Sequence, residues 1–177
     1  MNRSAEPVET DRLLLLPWSR EYDDSFAALC TDERAMKFIS GGRALPRELV
    51  DEINGRAHTM WSEHAFGPWA AVEKRTGHWI GRIGLNLLAD WPGTDKWEIG
   101  YELVPSVWGS GYATEGARAA LAFAWEHTPL QRVISVTVPD HAASRRVMEK
   151  VGLALQEELP WRGTTVVWYA IDRPRPQ

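Results

Sequence analysis

The chain has 177 residues, a formal net charge of −4, 44% hydrophobic residues and 25% charged residues. That length suits one domain with a sizeable core, and that composition excludes an intrinsically disordered chain. The mild acidity argues against a nucleic-acid surface, which needs a basic patch, and leaves room for a local basic pocket. The single cysteine, Cys30, cannot form an internal disulfide and reads as a buried small hydrophobe on a helix. The aliphatic run from Leu13 to Leu16 is too short to span a bilayer, and no signal-peptide pattern opens the chain. The expectation is therefore one domain over 1–177, core about 10–172, in the cytoplasm, with no membrane or nucleic-acid partner. The tail RPRPQ reads as solvated.

In chain order, residues 10–17 read as a buried strand. Ser19 is placed to cap a helix whose apolar positions are Tyr22, Phe26, Leu29 and Cys30. A short helix is expected over 31–39, and Pro46 opens a longer one toward Trp61. Strands follow at 66–73 and 79–88, broken by the turn residues Thr76-Gly77 and Asp90-Trp91-Pro92-Gly93. The strand at 96–104 alternates, with Trp97, Ile99, Tyr101 and Leu103 on one face and Glu98, Gly100 and Glu102 on the other. A helix over 112–127 carries the apolar stripe Ala113, Ala117, Ala120, Leu121, Ala124 and Trp125. Then come a β-branched strand at 132–138, a helix at 142–151 closed by Gly152, and two strands, 153–159 and 165–172, joined through Trp161-Arg162-Gly163. This alternation is that of a mixed α/β (α+β) domain.

The segment Trp108-Gly109-Ser110-Gly111-Tyr112-Ala113-Thr114 lies between a strand and a helix. A helix start offers unpaired N–H groups and a favourable dipole, and glycines let a phosphate approach the backbone. It is not a P-loop, because the lysine and hydroxyl that end that motif are missing. It also lacks the third glycine of a dinucleotide fingerprint.

The run EIGYELVPSVWGSGYATEGARAALAFAW, then VTVPDHAASRRVMEKVGL, resembles the GCN5-related N-acetyltransferase (GNAT) superfamily. Within it, the opening TDRLLLLPW and these motifs are most similar to the ribosomal-protein N-terminal (Rim-type) acetyltransferases. The resemblance implies the GNAT fold: a mixed, mostly antiparallel seven-stranded sheet with flanking helices, whose central strands splay to form an acyl-CoA cleft. It implies that acetyl-CoA enters between the strand ending at Val104 and the strand at 132–138. The pantetheine arm would pair with the backbone near Leu103 and Val104. The pyrophosphate would rest on Gly109, Ser110, Gly111, Tyr112, Ala113 and Thr114. Trp108 stands where the family has Arg or Gln, His141 where many relatives carry Asn, and Met148 where one subgroup carries Tyr. His141 is either a hydrogen-bond donor to the pantetheine arm or an exposed helix start. Ser144 resembles the family's hydroxyl donor. Arg145 and Arg146 either reach the CoA 3′-phosphate or form a solvated helix face. A homodimer is compatible with the family.

The implied reaction moves an acetyl group from acetyl-CoA to a primary amine, a protein N-terminal amine among the options, by direct attack on the thioester. The alternative is an acyl-CoA-binding sensor or scaffold without turnover. A protonated amine has no lone pair, so the chemistry needs a base. Glu98 is the candidate, with Glu102 the alternative on the same face. Ser144 is the candidate donor to the departing thiolate, against simple hydrogen bonding inside its helix. Glu115 reads as a complement to the helix dipole. The histidines show no metal-ligand spacing, and no catalytic metal is expected. Trp91 and Trp161 fall in predicted loops and are expected to wall the acceptor site.

Overall fold

The computed structural model describes residues 6–175. Eight strands form one sheet in the order β1-β2-β3-β4-β5-β6-β8-β7. They are β1 (Val8–Glu9), β2 (Leu13–Pro17), β3 (Pro68–Glu73), β4 (Trp79–Leu87), β5 (Trp97–Leu103), β6 (Arg132–Thr137), β7 (Ala154–Trp161) and β8 (Thr164–Asp172). The helices are α1 (Asp23–Leu29), α2 (Glu33–Met36), α3 (Arg47–His64), α4 (Tyr112–His127) and α5 (Ala142–Lys150). Neighbouring strands pair antiparallel except β5 and β6, which run parallel.

The expected seven strands become eight because a two-residue strand, β1, precedes the first one, which begins at Leu13 rather than Thr10. Thr10 turns the chain between the two: its hydroxyl accepts from the Leu13 N–H at 2.8 Å, and its own N–H donates to the Leu13 carbonyl at 3.0 Å. Ser19 makes no capping bond. A 3-10 turn, Arg20–Tyr22, comes first, and α1 begins at Asp23. The helix expected over 31–39 is a single turn, capped by the Asp32 side chain on the Arg34 and Ala35 N–H groups. The hairpin between β7 and β8 needs only Arg162 and Gly163, at φ 49° and 78°, the left-handed pair that suits a two-residue turn. The tail is less free than expected. Arg173 donates to the carbonyls of Leu130 and Trp125 at 2.8 Å each, and residues 176–177 lie outside the described part.

Alternation along the strands builds a core on each face. One face carries Leu13, Leu15, Ile83, Leu85, Ile99 and Leu103 against Ala117, Ala120, Leu121 and Ala124 of α4 and Met148 of α5. The opposite face packs Trp18, Phe26, Leu29, Cys30, Met36, Val50, Ala57 and Met60 beneath α1 to α3. Cys30 is buried there, which pushes its thiol up to about 11. A third cluster, Trp91, Ile134, Val166 and Ala170, covers the far end of that face.

The centre of the sheet is loosely joined. β5 and β6 share one registered pair, Glu98 with Ile134. The Ser135 hydroxyl then donates to the Ile99 carbonyl at 2.8 Å, and past that link no pairing joins the two strands among the described residues. No described helix is long and apolar enough to cross a membrane.

Candidate active site

After β5, a 3-10 turn at Pro105–Val107 carries the chain into the glycine loop. Gly109 and Gly111 sit at φ 74° and 85°, a region that an L side chain enters only with strain. A β-carbon at Gly109 would meet nothing within 4 Å, so this side of the loop is open. No side chain caps α4. The Glu115 N–H, bonded to the Gly111 carbonyl at 3.0 Å, is the fourth of the helix. The N–H groups of Tyr112, Ala113 and Thr114 therefore have no partner within the helix, and they suit a pyrophosphate. The Tyr112 side chain points elsewhere: it is buried, and its hydroxyl donates to Glu73. Only its backbone belongs to the loop.

A clamp from the far end of the chain holds this loop. The Arg12 guanidinium donates to the Ser110 carbonyl at 2.9 Å and to Glu115 at 2.6 Å, and it covers the Tyr112 ring at 4.4 Å. The Arg12 N–H and the Thr10 hydroxyl also donate to Glu115. Burial opposes ionisation of Glu115, yet these hydrogen bonds hold its carboxyl below the usual range. Glu115 thus anchors β2 to α4, beyond the dipole role expected of it.

The two expected pantetheine contacts divide. Val104 donates its N–H to the Ile80 carbonyl at 2.9 Å and accepts from the Val107 N–H at 3.1 Å. Its backbone serves the fold, which corrects its assignment to an added strand. Strand alternation turns the backbone groups of Tyr101 and Leu103 toward the gap instead. The Leu103 carbonyl already accepts from the Trp108 indole at 2.7 Å, while half of the Trp108 side chain is exposed.

Glu98 lies where β5 and β6 part. Its Oε1 accepts from the Val136 N–H at 3.1 Å across the gap. Its Oε2 lies on the side of Gly100 that the Asn86 amide fills, so a β-carbon at Gly100 would come within 2.8 Å of Asn86 Nδ2. Burial pushes the Glu98 carboxyl up to about 8, against the pull of the Val136 N–H and with help from Glu102. Glu102 itself is committed to Arg82, which donates to it through Nε at 3.2 Å and Nη2 at 2.9 Å while lying over the Phe26 ring.

Three further assignments meet the structure at α5. His141 stacks flat on Phe38, ring centres 4.1 Å apart, with Nδ1 3.1 Å from the Thr137 hydroxyl. Burial holds its pKa below the ordinary value, so it is neutral near pH 7. Ser144 is buried against the Tyr101 phenol, a residue that the strand pattern assigned to the apolar face. Arg145 donates to the Tyr169 hydroxyl at 3.0 Å and the Pro139 carbonyl at 3.1 Å. Those bonds brace the β6–α5 connection and correct its placement on a phosphate, whereas Arg146 is exposed.

The tryptophan expectation also changes. Trp91 is only 2% exposed and packs edge-on against Trp161 and Trp168, at 5.1 and 5.8 Å. It is core rather than a loop surface. Trp161 is half-buried under the Arg162 guanidinium, which also pairs with Asp90 at 2.6 Å. The β4–β5 loop is thereby bolted to the β7–β8 hairpin beside the Glu98 face.

Residues 12–154 match the family model described as acetyltransferase (GNAT) domain. The chain belongs to the GNAT acetyltransferase family, and it is an acetyl-CoA-dependent N-acyltransferase. Among its relatives, the FsC-acetyl coenzyme A-N(2)-transacetylase of Aspergillus fumigatus is 32% identical over 165 residues, covering 86% of this chain and 67% of that protein. The uncharacterized protein YkkB of Bacillus subtilis is 31% identical, covering 86% and 87%. In fold, the chain is similar to a GNAT-family acetyltransferase from Bordetella pertussis, with a TM-score of 0.79, 24% identity, and coverage of 93% and 98%. It also superimposes on the RimL ribosomal L7/L12 alpha-N-protein acetyltransferase in complex with coenzyme A, with a TM-score of 0.73, 16% identity, and coverage of 94% and 98%.

Proposed function

We propose that this enzyme transfers the acetyl group of acetyl-CoA to a primary amine by direct attack on the thioester, with Glu98 as the base. The observation that carries this reading is the position of Glu98 at the mouth of the gap: one carboxyl oxygen accepts from the Val136 N–H across the space between β5 and β6, and the other lies beside Gly100 and the Asn86 amide. A carboxyl that ionises near 8 is matched to an amine proton at working pH. The Tyr112, Ala113 and Thr114 N–H groups hold the pyrophosphate, and Gly109 and Gly111 give it access. Acetyl-CoA supplies the acyl group, and the residues named orient it and take the amine proton.

The acceptor class is narrower in this reading than in the fold, since one fold serves many acceptors. A relative named as an N(2)-transacetylase and neighbours named as ribosomal-protein acetyltransferases both support an amine nucleophile. A protein N-terminal amine stands beside small amines in the panel to be tried. We place the enzyme in the cytoplasm, where the single thiol stays reduced.

CoA release with a panel of small amines and N-terminal peptides tests the proposal. Turnover on at least one amine, lowered roughly 10²–10⁴-fold by Glu98→Gln, is the expected result. Tight CoA binding with no thiol release on any amine would instead identify a sensor or scaffold.

A further inference from the structure

Tyr101 stands three residues beyond Glu98 on β5, so alternation sends their side chains to opposite faces of the strand. Glu98 faces the side covered by α1 to α3 and the tryptophan cluster. The Tyr101 phenol faces α5. Its oxygen lies 2.9 Å from the Ser144 carbonyl and 3.1 Å from Ser144 Oγ. A carbonyl can only accept, so the phenol O–H donates to it. The Ser144 O–H is then left to donate to the phenol oxygen. Both hydroxyls are rotors. If the phenol proton turns from the carbonyl to Ser144 Oγ, the serine proton is released to point into the gap.

We infer that Tyr101 is a positioning residue for thiolate departure. At rest it takes the serine hydrogen bond. With sulfur in the gap it donates to Ser144 Oγ, and Ser144 donates to the sulfur. The inference rests on the acetyl transfer proposed above. The balance is simple. The C–N bond forms and the C–S bond breaks, with its electron pair staying on sulfur. The amine proton passes to Glu98 and then to solvent. Sulfur leaves as a thiolate that carries a hydrogen bond, and no proton leaves Tyr101. Burial raises the phenol's pKa above its ordinary value, which keeps it protonated throughout. Base and hydroxyl pair thus serve the two faces of one strand.

A titration of the bound CoA thiol tests this without any acceptor. Thiolate absorbance of the enzyme–CoA complex is followed against pH for the wild type, Tyr101→Phe, Ser144→Ala and the double variant. The expected result is a bound thiol that ionises at lower pH than free CoA. Each single variant should move it back up by the same amount, and the double variant should move it no further. A hydrogen bond to a charged group of this kind corresponds to roughly a ten- to hundredfold change. With an active amine, both single variants should lower kcat by that factor and leave the acetyl-CoA KM unchanged. An unshifted thiol titration in Tyr101→Phe, or in Ser144→Ala should the first variant fold poorly, overturns the inference. Additive losses in the double variant overturn it too. Absence of turnover on every amine would sink the proposed acetyl transfer, while the thiol titration still decides the role of Tyr101.

Discussion

The sides of this cleft proposed for donor and acceptor are built from different materials. The donor side is backbone: two left-handed glycines and the free N–H groups of one helix start, braced by Arg12. The acceptor side is side chains from α1, β4, β5 and the β7–β8 hairpin, with Glu98 among them. Backbone sites tolerate side-chain change, which is why Trp108 can stand at the head of the loop without removing a single N–H donor. Side-chain sites do not have that tolerance, and their specificity is free to drift while the donor half stays recognisable.

The sharpest break of that comparison is Glu98→Gln. The base form of Glu98 exists above its pKa of about 8, so kcat/KM should rise with pH and level off beyond that value. The variant should lose roughly 10²–10⁴ in kcat/KM and flatten the limb. A variant that keeps the wild-type pH profile would place the base elsewhere. The same group affects stability. Its folded pKa lies above the ordinary 4.5, so folding favours the protonated form, and between 4.5 and about 8 rising pH costs stability. Glu98→Gln should therefore melt higher than the wild type at pH 8, with the difference shrinking toward pH 4.

Trp91→Ala should be the next largest, a loss of about 3–5 kcal/mol in denaturant unfolding, because it removes a buried ring from a cluster. A merely surface tryptophan would show almost none of that. Gly111→Ala forces a β-carbon to φ 85° and within 3.4 Å of Arg12. That strain of about 1–2 kcal/mol should raise the acetyl-CoA Kd by about 5- to 30-fold. Arg12→Ala is the mildest. The side chain is nearly half exposed, so the melting temperature should barely move. Its acetyl-CoA KM should rise roughly two- to fivefold with kcat unchanged. If kcat falls instead, the clamp reaches the chemistry and the division between the two sides fails.

What the sequence made legible follows from the same division. The glycine loop, the alternation of β5 and the α4 stripe are local patterns, and they appear where periodicity places them. The clamp does not, because Arg12 and Glu115 are 103 residues apart. Trp91 reads as a loop residue beside Pro92 and Gly93, and only the distant Trp161 and Trp168 make it core. Val104 fails as a ligand contact because Ile80 takes its N–H. Tyr101 was visible only as an apolar-face residue of β5, since nothing local reveals that its hydroxyl crosses to α5. β1 was missed because Val8–Glu9 is too short to show an alternation, although the polar run Glu9-Thr10-Asp11-Arg12 marks the turn that follows it.

The single registered pair between β5 and β6 leaves a sheet edge in the middle of a sheet. An outer edge of that kind is a hazard, a ready template for a second chain. Here the unpaired rungs lie between two paired halves of one sheet, with α4 packed on one face. An edge kept inside the molecule offers its amide groups to a bound ligand rather than to a second sheet.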